Sequence, residues 1–161
     1  MLELQANFTG SEWTVTEHGQ PFGTIRFASM RTRADIAMAD GRTYEFAREP
    51  RSGPMVLRDH VGGQVASATR RSEWCREAFD VQTGADLAVL AAASMWSARE
   101  LELNTADDRT LARMRREGFS GNKGTAELPE DWDAALRMFV ATLGILIWRR
   151  SDSAAAAGAQ Q

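Results

Sequence analysis

The stretch AALRMFVATLGILIWRR, residues 134–150, is strongly apolar and closes on Trp148 and two arginines. Either it crosses a bilayer or the rest of the chain encloses it. A crossing needs about 20 predominantly apolar residues. Between Arg137 and Arg149 only MFVATLGILIW is free of charge, and extending it backwards collects Arg137, Asp133, Asp131 and Glu130, each costly in hydrocarbon. As a helix from about Glu130 to Arg150 the segment is roughly 30 Å long at 1.5 Å per residue. Pro129 suits an early helical position, Glu130 and Asp131 complement the positive N-terminal dipole, and Arg149 and Arg150 complement the other end. Its apolar side chains keep to no single stripe. Leu136, Phe139, Val140, Leu143 and Ile147 cover one side, and Met138, Ile145 and Trp148 another. A helix that is apolar all round must be enclosed all round.

What encloses it is written in the preceding residues, which break into short segments separated by turn chemistry. In TIRFA, Ile25 and Phe27 alternate with Thr24 and Arg26, the period of a half-buried strand. DIAMADGRTYEFARE reads as a hairpin: Ile36 and Met38 lead into Asp40-Gly41, and Tyr44 and Phe46 lead out. GPMVLRDHVGGQVASATRR holds two strands around Gly62-Gly63. EAFDVQTGADLAVLAAA places Phe79 and Val81 before a glycine turn, with Leu87 and Val89 after it. Leu101 and Leu103 face one way in RELELNT, and Glu100 and Glu102 the other. TLARMRREGF, residues 110–119, also fits a short helix capped by Asp107 or Asp108, but its strand surroundings favour a strand. Together these segments make about a dozen strands at regular spacing, the pattern of an all-β sandwich or barrel.

A barrel of about 8 strands is filled by its own side chains, whereas one of about a dozen leaves a wider lumen. A helix of about 10–12 Å diameter fills that lumen. Ala134, Ala135, Ala141 and Gly144 let barrel side chains approach it closely. The expected architecture is therefore mainly β: a roughly twelve-stranded barrel, residues 1–150, enclosing a hydrophobic C-terminal helix at about 130–150. Residues 151–161, SDSAAAAGAQQ, have little to bury and are expected to form a loose, disordered tail.

The local patterns ADGRTYEFARE and MVLRDHVGGQVASATR, followed by LRMFVATLGILIWRR, resemble the tubby C-terminal-like superfamily, in its branch of LURP-one-related proteins and phospholipid scramblases. That likeness covers most of residues 2–150. It implies the same barrel with a central helix, a helix easily mistaken for a membrane span. Tubby proteins bind phosphoinositides through basic side chains on the barrel exterior. No local tubby motif is present to carry those residues over, and Lys123 is the single lysine. Fold alone does not assign function.

Composition narrows the chemistry. A net charge of −3, with acidic and basic residues interleaved, offers no general attraction to nucleic acid. The 18 arginines against one lysine fit a GC-rich genome, which also explains the abundant alanine; anion recognition is the other reading. One cysteine, Cys75, excludes an internal disulfide, and the first residues lack the charged and apolar regions of a secretory signal, so a cytoplasmic location is expected. His18 and His60 both sit at turns, and with one cysteine they give no metal-ligand spacing. Cys75 with His60 shows no signature of a thiol nucleophile and its base, so Cys75 reads as a small core residue. GFSGNKGT places Lys123 before the last glycine, so it is not a phosphate-binding loop. No catalytic, cofactor-binding or metal-binding residues are assigned.

The arginines are the remaining functional material. Arg26, Arg31 and Arg33 lie close in sequence, and Arg70 and Arg71 are adjacent. If their loops share one end of the barrel, they form an anion site for a lipid headgroup or another phosphate; otherwise they are a solvated rim paired with Asp35, Glu73 and Glu77. The expected function is a non-catalytic binding module for an anionic phospholipid or a protein partner, its oligomeric state open. Two alternatives stand beside it: a tail-anchored protein with residues 134–148 as the anchor, and a small-ligand carrier or enzyme using the barrel interior.

Overall fold

A computed structural model describes residues 1–160 apart from 30, 31, 73–76, 85 and 119. Twelve strands form a closed barrel in which each pairs antiparallel with its neighbour in sequence, and the first and last pair with each other. They are β1 (Leu2–Ala6), β2 (Glu12–Glu17), β3 (Gln20–Phe27), β4 (Arg33–Met38), β5 (Thr43–Arg48) and β6 (Met55–Asp59), then β7 (Gln64–Ser72), β8 (Glu77–Thr83), β9 (Asp86–Ser94), β10 (Ser97–Thr105), β11 (Thr110–Glu117) and β12 (Lys123–Glu127). The one helix, α1 (Ala134–Ala159), follows.

The barrel forms because nearly every strand alternates. Leu2, Leu4 and Ala6 point inward on β1, and Leu101, Leu103 and Thr105 on β10. The turns fall where the sequence places them: Gly41 and Gly62 adopt positive φ of 90° and 86° at the β4–β5 and β6–β7 connections. Residues 110–117 are a strand, with Ala112 and Met114 facing the lumen. On β9 the facing set differs from the sequence reading. Leu87 is 57% exposed, and the inward residues are Ala88, Leu90 and Ala92, paired with Val81 and Phe79 of β8.

Helix α1 runs through the lumen. From Arg137 to Trp148 every residue is buried, whichever way it points. Contacts come from separate strands: Phe139 meets Phe46 of β5 with ring centroids 5.7 Å apart, and Trp148 meets Trp13 of β2 at 6.2 Å. Gly144 lies against Met114 and Leu101, where a Cβ would collide with the methionine sulfur. Gly124 of β12 gives Trp148 its space in the same way. The 134–148 stretch is therefore a core element and not an anchor, and no helix among the described residues is long and apolar enough to cross a membrane. By occupying the lumen it also takes the space that an interior carrier or enzyme site would need.

Both ends of the helix differ from expectation. It starts at Ala134 because the Asp133 carboxylate caps it, accepting from the Ala135 N–H at 2.8 Å; Pro129, Glu130 and Asp131 precede it. It does not stop at Arg150. Residues 151–159, expected to be a loose tail, continue the helix and are all exposed. Arg149 and Arg150 are therefore not at a helix terminus, and their roles lie in the barrel mouth.

Candidate functional site

An up-and-down barrel sorts its connections onto two ends. The helix enters at the end holding the even-to-odd connections, such as β2–β3 and β4–β5, and leaves at the other. The entry end is acidic. Asp40, Asp59, Asp86, Asp107, Asp108 and Asp131 lie in its connections or at adjoining strand termini. Asp40 and Asp107 are held below the usual carboxylate range, the first by the Arg42 backbone N–H and the second by the Thr105 hydroxyl. Glu17 is lowered too, chiefly by its hydrogen bond from Arg137, whose guanidinium also stacks 5.0 Å over Phe22. His18 and His60 are both exposed at this end, and no group of three or more His, Cys, Asp or Glu among the described residues could hold a metal ion.

The exit end is basic, and the helix brings it two of its arginines. Arg150 pairs with Glu77 and donates to the Thr32 hydroxyl at 3.0 Å. Arg70 reaches the same Glu77 oxygen at 3.5 Å. On β7, Ala66 and Ala68 point into the barrel, so Arg70, two residues further on, leans over the lumen mouth where Arg150 arrives. Arg149 has no carboxylate partner among the described residues. It donates to the Gly10 carbonyl at 3.2 Å, stacks 4.4 Å over Phe27, and burial lowers its pKa. A guanidinium starts so high that it stays charged there. Arg116 grips both Asp152 carboxylate oxygens at 2.7 Å, holding the emerging helix to β11.

Between the helix and the β9–β10 connection lies a cleft of about 410 Å³. Arg70, Arg150 and Glu77 form its polar wall, Ile147 and Ala154 its helix side, and Met95 and Trp96 its outer lip. Two guanidinium groups against one carboxylate leave this wall with one excess positive charge.

The five arginines singled out in the sequence do not all converge. Arg26 pairs with Glu12 at 2.6 Å and Arg33 with Glu45 at 2.6 Å, both on the outer wall. Arg71 points the opposite way from Arg70 and meets Asp80 at 3.4 Å. Arg31, Glu73 and Cys75 lie outside the described residues. Of the four described members, only Arg70 faces the cleft, and its companion Arg150 comes from a distant part of the chain. The exposed aromatics at this end were also missed: Phe8 in the β1–β2 connection and Trp96 in β9–β10 are 103% and 94% exposed. Phe8 falls in phase with Leu2, Leu4 and Ala6, so alternation alone does not mark it as exposed, and only the TGS turn signal after it does.

Comparison with protein-family models, with curated proteins and with solved structures finds no match for this chain.

Proposed function

We propose that this protein is a non-catalytic binding module that takes a phosphate-bearing anion in the cleft at the helix exit. The observation that carries the reading is the sharing of Glu77 by Arg70 and Arg150. A guanidinium presents several donors in a flat fork, and one carboxylate cannot satisfy two of them. A phosphate oxygen can take the unused donors, with the Thr32 hydroxyl beside them. The apolar side of the cleft, from Ile147 to Trp96, suits the organic part of a phosphate ester. The resemblance to scramblase-like and tubby-like proteins points to the same ligand chemistry.

The test is calorimetric titration of the full chain with glycerol phosphate and with inorganic phosphate. Saturable binding is expected, weakened at least about tenfold in Arg150→Gln, the loss of one charge-assisted pair. Absence of binding by the wild-type chain, or equal binding by the variant, removes the reading.

A further inference from the structure

The large apolar side chains that stand exposed among the described residues are not scattered over the barrel. Phe8, Met95 and Trp96 lie in connections at the exit end. Val61, Val65 and Leu87 lie in or beside connections at the entry end, with Met1 at the start of β1. None sits at mid-strand. The outer wall between the two ends is instead crossed by ion pairs, such as Arg26 with Glu12, Arg33 with Glu45, Arg113 with Glu102 and Arg115 with Glu100. A single exposed apolar residue is ordinary. Groups of them at both ends, with a polar wall between, make two apolar faces that point in opposite directions.

Those two faces carry charge of opposite sign. At the exit end Arg48, Arg51, Arg99 and Lys123 are exposed and make no ion pair among the described residues. At the entry end the same holds for Asp108, Glu130 and Asp131. One barrel cannot bring its own ends together, because the helix inside it spans roughly 24 Å from Ala134 to Arg150 at 1.5 Å per residue. The unpaired cations of one copy meet unpaired carboxylates only on another copy. Two like ends would set charges of one sign against each other. The projecting helix does not bar an end-on approach. Ala154 still lies beside Trp96 in the cleft wall. Beyond it stand Ala155–Ala159, roughly 8 Å of uncharged helix with no side chain larger than a methyl group.

We infer that copies of this chain associate head to tail, the basic exit end of one on the acidic entry end of the next. Phe8, Met95 and Trp96 meet Val61 and Leu87 across the joint, inside a rim of opposite charges. Exit and entry lie at the two ends of one axis, so the contact is heterologous. Each added copy leaves one free end of each kind, and assembly is open-ended rather than a closed pair. The end face of a small barrel is a modest interface, so association is weak and grows with concentration. The inference stands apart from the phosphate reading, since neither Phe8 nor the four unpaired cations line the cleft.

The experiment is sedimentation velocity of the full chain over a wide concentration range, at low salt and in about 0.5 M sodium chloride. The weight-average mass should climb past that of a dimer without levelling off, and the association constant should fall at least about tenfold in the higher salt. An exit variant combines Phe8→Ser with Arg48→Glu, and an entry variant combines Val61→Ser with Glu130→Arg. Each should associate at least about tenfold more weakly than wild type, given the apolar area withdrawn and the reversed charge. Their melting temperatures should match wild type, because all four side chains are exposed. Mixed in equal amounts, the two variants should form one-to-one dimers and nothing larger, since the first keeps a working entry end and the second a working exit end. A wild-type chain that stays monomeric at every concentration overturns the inference. So does a mass that levels off at a dimer, association that salt leaves unchanged, or a mixture of the two variants that stays monomeric.

Discussion

Replacing Gly124 by alanine tests the enclosure of the helix at one point of contact. A Cβ there would lie 2.8 Å from Trp148 Cη2, 3.0 Å from Cζ3 and 2.9 Å from the Arg115 carbonyl oxygen. None of these can yield cheaply. The indole is wedged between β12 and Trp13, and the carbonyl belongs to a strand paired with β12. Overpacking of this kind costs about 1–3 kcal/mol, against about 0.5–1 kcal/mol gained by removing a strand glycine. The net expectation is about 1 kcal/mol of destabilisation, or about 2–4 °C in melting temperature for a chain of this size. Trp148→Leu alone should cost about 3 kcal/mol through the cavity it leaves. In that background Gly124→Ala should be nearly free, giving a coupling of about 1 kcal/mol in a double-mutant cycle. Urea unfolding followed by far-ultraviolet circular dichroism reads all four proteins. Strict additivity, or an unaffected Gly124→Ala, would mean that Trp148 does not press on β12 and that the helix is not the plug described.

Ending the chain after Arg150 should leave a cooperative transition within about 0.5 kcal/mol of wild type, the range for exposed sites, whereas ending it before Ala134 should abolish the transition, read by thermal melting. Asp152→Asn should speed amide exchange over residues 151–159 without moving the global midpoint, because it releases only the Arg116 clasp. The pH dependence has a definite sign at Glu17. Its folded pKa is depressed, so its contribution is fully present above its unfolded value and disappears as pH falls through the folded value. Urea midpoints measured downward from about pH 5 should fall less steeply in Glu17→Gln than in wild type.

The parts of this fold legible in the sequence were those fixed by local contrast. Tyr44 and Phe46 alternate with polar neighbours across from an Asp-Gly turn, so their facing is determined before any partner is known. The 138–148 run, apolar in every direction, has only one way to be satisfied in a chain of strands. Where contrast fails, so does the reading. LAVLAAA has no polar member to set its phase, and the inward choice of Ala88, Leu90 and Ala92 is made by the space the helix leaves. The start of the helix was blurred because Pro129, Glu130 and Asp131 imitate an N-terminus that Asp133 supplies by capping. The arginine cluster was assembled from neighbours in sequence, but neighbouring strand residues face opposite ways, as Arg70 and Arg71 do. Glu77 lies 73 positions from Arg150, and only barrel closure brings them together.

That closure bears on how the chain reaches its native state. Residues 2–5 pair with residues 123–126, and the segment that every inward side chain packs against follows all twelve strands in sequence. Strands emerging from a ribosome therefore have no finished core to join. Until α1 arrives, Leu2, Phe46, Phe79 and Leu101 must wait in a loose, sticky precursor, and closing so large a ring makes assembly slow. The barrel's core is therefore completed last, by the element that follows all twelve strands.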